Sequence, residues 1–262
     1  MSSVASQSAP QRPLFRNPQR APGPIDRYLT ALRGLGLIRT ERTTRALLED
    51  LFGAVELAGR RVLEIGGGEG IATFYAAHRG ARQVVCLEPE AAGSADGVTT
   101  SFARIHALAP ELPVVLDPRP VQDYRDNEGF DVILMNASIN HVDEEACIRL
   151  HQDEVARVAF RKVFVHIASL ARPAARLIVV DCARRNFFAA LGLKNPIYPD
   201  IEWHKHQPPG LWAQLLGDCG FKAPKISWSP LFRFGAIGRV LSSSAPAAYF
   251  LKSMFRLEMQ KA

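Results

Sequence analysis

Several features that define other protein classes are missing from this 262-residue sequence. No apolar run approaches 18 residues, so no membrane-spanning segment is predicted, and neither an apolar secretory segment nor an internal repeat is present. Cysteine is scarce and widely spaced, without a C-x-x-C pair, which excludes a cysteine-rich metal site and a disulfide framework. We expect a cytoplasmic protein whose cysteines are reduced core thiols: Cys86, Cys147, Cys182 and Cys219.

Charge is distributed unevenly, although the formal net charge is only +6. Residues 1–48 hold 8 basic and 2 acidic residues, residues 49–160 hold 9 basic and 19 acidic, and residues 161–262 hold 15 basic and 5 acidic. The asymmetry indicates what each part attracts from solution. The middle part favours cations, and the C-terminal part favours anions.

The N-terminal region divides into two parts. Residues 1–24 are rich in Ser, Pro, Gln and Arg and cannot bury enough apolar surface to offset ordering entropy, so we predict a disordered tail. The alternative, an Arg-rich transit peptide, lacks amphipathic periodicity. Residues 25–57 show apolar residues at helical spacing, interrupted at Gly34 and Gly36, and are predicted to form N-terminal helices.

Beyond residue 57, short apolar runs alternate with helix-length segments. Continuous hydrophobicity within the runs indicates strands buried on both faces, and intervening helices indicate right-handed parallel crossovers. The predicted strands are residues 61–65, 83–88, 114–117, 130–136 and 175–182. A helix over 208–219 and an antiparallel pair at the sheet edge, residues 221–228 and about 249–260, should complete a doubly wound, mostly parallel α/β sheet.

A glycine-rich loop follows the first strand, in the run from Val62 to Gly70. Glycines there let backbone approach a ligand at the carboxyl end of a strand, where open α/β sheets bind cofactors. Glu88 ends the second strand, a position from which a carboxylate accepts hydrogen bonds from both ribose hydroxyls. The pattern therefore predicts a cofactor that carries a nucleoside.

The spacing of the glycines excludes two common cofactors. G-x-G-x-x-G fails because its third position is Ile71, and no Gly-Lys-Ser/Thr follows to make a Walker loop. The sequence fits E-x-G-x-G-x-G, with Glu64 and Glu69 in and beside the loop. These carboxylates would repel a pyrophosphate but attract an ammonium and a sulfonium group.

With this loop, residues 58–182 resemble the class I S-adenosylmethionine-dependent methyltransferases, and the terminal strand pair looks like the closing strands of that family. The resemblance implies a Rossmann-like, seven-stranded domain over residues 58–262 with an antiparallel last strand, and S-adenosyl-L-methionine as cofactor. It also implies that Glu88 holds the ribose. Where the family places an acidic residue near the adenine, this chain has Pro120, which leaves Gln122 or Asp123. The remaining residues expected to bind the cofactor are Glu64, Gly66, Gly67, Gly68, Gly70 and Asn136.

The segment after the fourth strand bears on the methyl acceptor. It lacks the Asn-Pro-Pro-aromatic turn of enzymes that methylate amide or nucleobase nitrogens, and no Pro-Cys nucleophile is present. It is similar to small-molecule methyltransferases, in which a histidine often follows this strand. His141 is accordingly either the general base for a hydroxyl acceptor or a structural histidine. His204 and His206 would share a face if extended, as a base, an acceptor contact or a ligand pair, but no third ligand is visible and no metal is predicted.

Two long segments are predicted as lid insertions, at about 183–207 and 230–247. Aromatic residues of the first segment either pack an apolar acceptor or pack on their own domain: Phe187, Phe188, Tyr198 and Trp203. We predict a methyltransferase for a small molecule, acting at oxygen on an anionic acceptor. The alternatives are an RNA or protein methyltransferase and a non-catalytic cofactor-binding protein. Neither a membrane nor a nucleic acid is expected as partner, and a homodimer stays open.

Overall fold

The computed structural model describes residues 21–89, 97–229 and 244–262. Within these residues, seven strands form one sheet in the order β3-β2-β1-β4-β5-β7-β6. Strands β1 to β5 are parallel, whereas β7 is antiparallel to both β5 and β6. The predicted doubly wound sheet with an antiparallel last strand is confirmed. The strands are β1 Arg61–Ile65, β2 Gln83–Leu87, β3 Val114–Asp117, β4 Phe130–Asn136, β5 Ala171–Cys182, β6 Phe221–Trp228 and β7 Met254–Lys261.

Helices cover both faces of the sheet, because alternate strand residues face opposite ways. The first four helices pack on the face that carries Val62, Val84 and Val132. Helices α5, α6 and α8 pack on the face that carries Leu63 and Val85. The helices are α1 Pro24–Gly34, α2 Glu41–Phe52, α3 Ile71–His78, α4 Val98–His106, α5 Glu144–Arg149, α6 Glu154–Leu170, α7 Phe187–Ala190, α8 Pro209–Asp218 and α9 Ala245–Phe250.

Two strand starts differ from the prediction by several residues. Strand β7 begins at Met254 rather than near residue 249, because Ser244 caps α9 through a hydrogen bond from the Ala247 N–H to its side chain. Strand β5 begins at Ala171 rather than 175, since a register shift in its pairing with β4 accommodates the extra residues. Neither difference moves the carboxyl ends of the strands.

Some predicted segments lie outside the described residues. These are residues 1–20 of the predicted tail and residues 230–243 of the second predicted insertion. The four cysteines all lie in the described part, where they are free and buried. No helix among the described residues combines the length and hydropathy needed to cross a membrane.

Candidate active site

The carboxyl ends of four parallel strands meet at one edge of the sheet. This edge brings the glycine loop after β1 beside Glu88 after β2, Asn136 at the end of β4 and Asp181 near the end of β5. Open parallel sheets bind their ligands at this edge, where the strand order reverses on either side of β1. The residues predicted for the cofactor are thus brought together by topology.

The glycine loop is fixed by a backbone hydrogen bond to β2 and by side chains packed closely against it. The N–H of Gly66 donates to the Leu87 carbonyl at 2.8 Å, which ties the loop to β2. Gly66 has φ +69°, and a Cβ there would lie 2.5 Å from the Ser138 Cβ. At Gly67 a Cβ would lie 2.3 Å from the Cys86 sulfur. Both positions therefore require glycine for steric reasons.

Gly68 differs from its neighbours because the space in front of it is open. A Cβ there would meet no atom of the described residues within 4 Å, although its φ of +53° also favours glycine. The Gly68 N–H donates to Glu88 Oε2 at 2.6 Å, and Glu88 is only 4% exposed. A partly exposed glycine and a buried carboxylate are thus fixed relative to each other at the expected ligand position.

Glu64 lies beneath the loop as a second buried carboxyl group. It is 2% exposed and accepts a hydrogen bond from the Thr73 hydroxyl in the first turn of α3. Burial raises the pKa of Glu64 to about 7, and the nearby charge of Glu88 adds to this, although the bonds from Thr73 oppose it. The negative charge of each carboxyl group therefore disfavours ionisation of the other, and a cationic ligand at the loop would stabilise both in the ionised form.

The raised pKa of Glu64 predicts a pH-dependent stability. Between about pH 4.5 and pH 7 the native state binds more protons at this residue than the unfolded state, so the free energy of unfolding should fall as the pH rises. Glu64→Gln should remove this part of the pH dependence, whereas Glu111→Gln, at an exposed position, should keep it. Urea unfolding across this window measures both. Equal slopes in wild type and Glu64→Gln would contradict the assignment.

The turn after β4 is linked to the glycine loop. The Ser138 hydroxyl donates to the Ile65 carbonyl at 2.5 Å. The preceding residue, Ala137, has a φ of +53°, so the backbone turns sharply just before Ser138. Asn136, at the end of β4, is exposed at the edge. Asn140 is 2% exposed, and its Oδ1 has no hydrogen-bond partner among the described residues. Such an orphaned acceptor is available to a ligand donor.

The two candidates for adenine recognition lie in different environments. Gln122 is partly buried, and its amide donates to the Val142 carbonyl at 3.0 Å, which links the loop after β3 to the turn after β4. Asp123 is exposed. Both therefore stay candidates on the β3 side of the glycine loop.

His141 lies in a 3-10 turn after β4, Ile139–Val142, with 38% of its side chain exposed. Its Nδ1 is 2.5 Å from Glu144 Oε1, and Glu144 also pairs with Lys205 at 3.1 Å. Burial opposes the ionisation of Glu144, but the bonds from His141 and Lys205 outweigh it and lower the pKa of this carboxyl group. The histidine is thus oriented by a carboxylate whose charge is shared with a lysine.

His204 and His206 do not form the pair that an extended segment would present. Residues Trp203–Lys205 form a 3-10 turn, His204 is exposed, and the His206 ring turns inward to Asp181, with 3.0 Å between Nδ1 and Oδ1. The described residues contain no cluster of three or more metal-ligating side chains. The sequence contains no signal for Asp181, because it lies near the end of an apolar run that predicts a buried strand.

A buried polar network holds the first predicted lid segment against the residues that precede β7. The Asn186 side chain, 1% exposed, donates to the carbonyls of Tyr249 and Leu251 and to the Ser253 hydroxyl. Asn195 donates to the Asn186 Oδ1 and to the Leu251 carbonyl. Buried and satisfied side-chain networks of this kind specify one arrangement of a loop.

Aromatic residues of the predicted lid pack against α9, the helix that precedes β7. The Phe187 ring lies 5.4 Å from Phe188, 6.3 Å from Tyr249 and 5.0 Å from Phe250, between ring centroids. Phe250 keeps 52% of its surface exposed. Of the two alternatives, these contacts favour packing of the lid on its own domain.

The strand order, the antiparallel β7 and the glycine loop after β1 together define the fold of the class I S-adenosylmethionine-dependent methyltransferases. Solved structures of this kind resemble the chain. A methyltransferase of this type from Aquifex aeolicus matches with a TM-score of 0.55 and 13% identity, over 89% of this chain and 98% of its own. Another, from Mesorhizobium loti, matches with a TM-score of 0.55 and 14% identity, over 82% of this chain and 96% of its own.

A third similar structure has a defined substrate. It is the magnesium protoporphyrin IX methyltransferase of Synechocystis with bound S-adenosylhomocysteine, with a TM-score of 0.53 and 16% identity, over 84% of this chain and 82% of its own. No protein-family model and no curated protein matches the sequence. At such identities the likeness establishes the fold, and the activity is argued from the site.

Proposed function

We propose that this chain is an S-adenosylmethionine-dependent methyltransferase that methylates a small molecule at oxygen. The observation that carries the proposal is the open backbone at Gly68, hydrogen-bonded to the buried Glu88 at the switch point of the sheet. A carboxylate in this position is suited to ribose hydroxyls, and bare glycine backbone is suited to a chain that lies across it.

The charges at the site favour a cationic cofactor. Glu64 and Glu88 are both buried at the loop, so a sulfonium and an ammonium group would be attracted where a pyrophosphate would be repelled. When bound, S-adenosylmethionine supplies an activated methyl group. Around it, residues 66–70 would contact the methionine part, Gln122 or Asp123 the adenine, and Asn136 would lie at the end of β4 beside the methyl-transfer position.

The acceptor would lie on the side of β4, β5 and the lid, where the candidate bases are His141, His204 and His206. Methyl transfer is an in-line displacement, so the protein mainly has to position an unprotonated nucleophile and exclude water. The similarity in fold to a porphyrin methyltransferase supports a small acceptor. An anionic acceptor would meet Arg185 and Lys194, which are exposed in the lid, whereas Arg184 and Lys205 are engaged within the chain.

The proposal is tested in two stages. Titration calorimetry should show binding of S-adenosylmethionine and S-adenosylhomocysteine, and no comparable binding of NADH. A panel of phenols, hydroxy acids and amines is then incubated with cofactor carrying a deuterated methyl group, and mass spectrometry identifies the labelled product. Binding of NADH in place of S-adenosylmethionine would overturn the cofactor assignment. Labelling of amines alone would overturn methylation at oxygen.

Replacing Glu88 should weaken cofactor binding without unfolding the protein. In Glu88→Ala the two hydrogen bonds to ribose are lost, each contributing about 1.5 to 3 kcal/mol, so affinity for S-adenosylhomocysteine should fall at least about tenfold. Glu111→Ala, at an exposed position, should bind like wild type. Calorimetry measures both, and an unchanged affinity in Glu88→Ala would remove this residue from the site.

A further inference from the structure

Asp181 is buried in a way that stability alone does not explain. It is 1% exposed, its Oδ1 lies 3.0 Å from His206 Nδ1, and its Oδ2 has no hydrogen-bond partner among the described residues. A buried carboxylate with an unsatisfied oxygen is costly, and such groups persist mainly where they serve a ligand or a charged partner. Among the described residues that contact Asp181 through hydrogen bonds or ion pairs, His206 is the one that can become positively charged.

The position of this pair places it on the acceptor side of the site. Asp181 follows Val180, which pairs in register with Asn136 at the end of β4. His206 therefore lies at the same edge of the sheet as the glycine loop, two strands along from β1. The ring is reachable but sheltered, with 13% of its side chain exposed. Nδ1 is occupied by Asp181, while Nε2 has no hydrogen-bond partner in the part of the chain that the structure describes.

The backbone on both sides of His206 is anchored, so that its ring is presented in one orientation. The Arg184 guanidinium donates to the His204 carbonyl at 2.6 Å, and the Cys147 thiol donates to the Lys205 carbonyl at 3.2 Å. On the other side, the Gln207 amide donates to the Cys147 carbonyl at 2.5 Å. A ring held this way is pre-organised for proton transfer.

The other ionisable groups near the His206 ring do not take the place of Asp181 as its charged partner. Lys205 is paired with Glu144 and Glu202, at 3.1 and 2.6 Å. Burial, and then the charge of Asp181, raise the pKa of the Cys147 thiol to about 12, so it stays neutral. His141, by contrast, relies on a carboxylate that Lys205 already neutralises in part, and it is more exposed. Among the described residues, Asp181 forms an ion-pair contact with His206 alone.

We propose that Asp181 is a positioning residue that holds His206 with Nε2 unprotonated, so that His206 is the base for methyl transfer. The inference rests on the proposed function. The acceptor O–H proton passes to Nε2 as the acceptor oxygen bonds the methyl carbon, and the C–S electron pair returns to sulfur. The sulfonium becomes a neutral thioether, the imidazole becomes an imidazolium beside Asp181, and water later removes the proton.

The test compares Asp181→Asn and His206→Ala with exposed counterparts, Asp218→Asn at the end of α8 and His151→Ala. With the acceptor found by the labelling screen, both site variants should lose turnover about a hundredfold or more while retaining affinity for S-adenosylhomocysteine. The exposed counterparts should keep wild-type turnover. In Asp181→Asn the acidic limb of the rate profile should also move to lower pH, because the imidazolium has lost its partner charge.

Two further readouts separate chemistry from a structural role. Added imidazole should restore part of the turnover of His206→Ala. Diethyl pyrocarbonate reacts with an unprotonated imidazole nitrogen. At a pH above the acidic limb of both proteins it should modify His206 in wild type and modify it more slowly in Asp181→Asn, where Nε2 is no longer held unprotonated, as mass spectrometry of the peptides would show. This second readout needs no acceptor.

The outcomes distinguish the two proposals. If wild type fails to bind S-adenosylhomocysteine, the proposed function is wrong and the inference falls with it. If binding holds but Asp181→Asn turns over within about twofold of wild type with the same pH profile, only the inference is overturned. A hundredfold loss in His141→Ala with His206→Ala unaffected would also overturn it and assign the base to His141.

Discussion

Gly67→Ala is expected to reduce affinity for S-adenosylhomocysteine by about a hundredfold or more, which corresponds to about 2.7 kcal/mol. The added Cβ would lie 2.3 Å from the Cys86 sulfur and 3.2 Å from the Glu64 Cδ. Both neighbours are buried, so they cannot move aside, and the loop has to shift into the space that the cofactor needs. The backbone of Gly67 has no positive φ, which makes this a steric test.

Two further variants make that result specific. Gly217→Ala adds a methyl group in α8 where no atom of the described residues outside the local helix backbone lies within 4 Å, so cofactor affinity should be unchanged. Combining Gly67→Ala with Cys86→Ala removes the sulfur from beneath the loop and should recover at least about tenfold of the affinity. Calorimetry measures all three. Affinity of Gly67→Ala within about threefold of wild type would show that the loop adapts without disturbing the site.

Arg61→Leu should destabilise the fold by about 3 kcal/mol or more, without any direct contact to the site. Arg61 is 4% exposed at the start of β1, and its guanidinium donates two 2.8 Å bonds to Asp126 and one to the Gly129 carbonyl. It also donates to Gln83 and lies over the Phe130 ring at 4.5 Å. Removing it takes the charged donor from Asp126, which keeps only backbone N–H donors, and takes the side-chain donor from the Gly129 carbonyl. Chemical denaturation measures the loss, and the exposed Arg60→Leu should stay within about 0.5 kcal/mol of wild type.

The same contact has a pH signature. Hydrogen bonds from Arg61 lower the pKa of Asp126 to about 2 against the opposing effect of burial. Its contribution to stability is therefore complete above about pH 4 and is lost as the pH falls towards 2. Asp126→Asn should show less acid-induced loss over this interval than wild type. An identical acid limb in both would mean that Arg61 is held by its other partners.

The glycine loop and Glu88 could be predicted because their chemistry is local. A buried strand that runs into glycines indicates a ligand loop whatever the rest of the chain does, and the second strand of a parallel crossover ends beside it. The five parallel strands could be predicted for the same reason, since continuous apolar runs are a short-range signal. The starts of β7 and β5 depend on a helix cap and on a register shift, and the predicted starts were a few residues from those in the structure.

The contacts around the acceptor side depended on the tertiary structure. From the sequence, His206 was one of two histidines that would share a face in an extended segment. Asp181 was a polar residue near the end of a predicted strand. The structure joins them because the lid folds back over β5, anchored by Arg184 and Cys147 from distant positions.

The same division holds beneath the cofactor loop, where Cys86 explains why Gly67 has to be glycine. Periodicity and loop chemistry follow from neighbours along the chain, and the sequence by itself therefore determined the parallel strands, the cofactor edge and its carboxylates. A side-chain pair such as Asp181 and His206, which are 25 residues apart, forms only where packing brings the two together. The tertiary structure alone decided which histidine faces a buried carboxylate, because that depends on how the lid packs on the sheet.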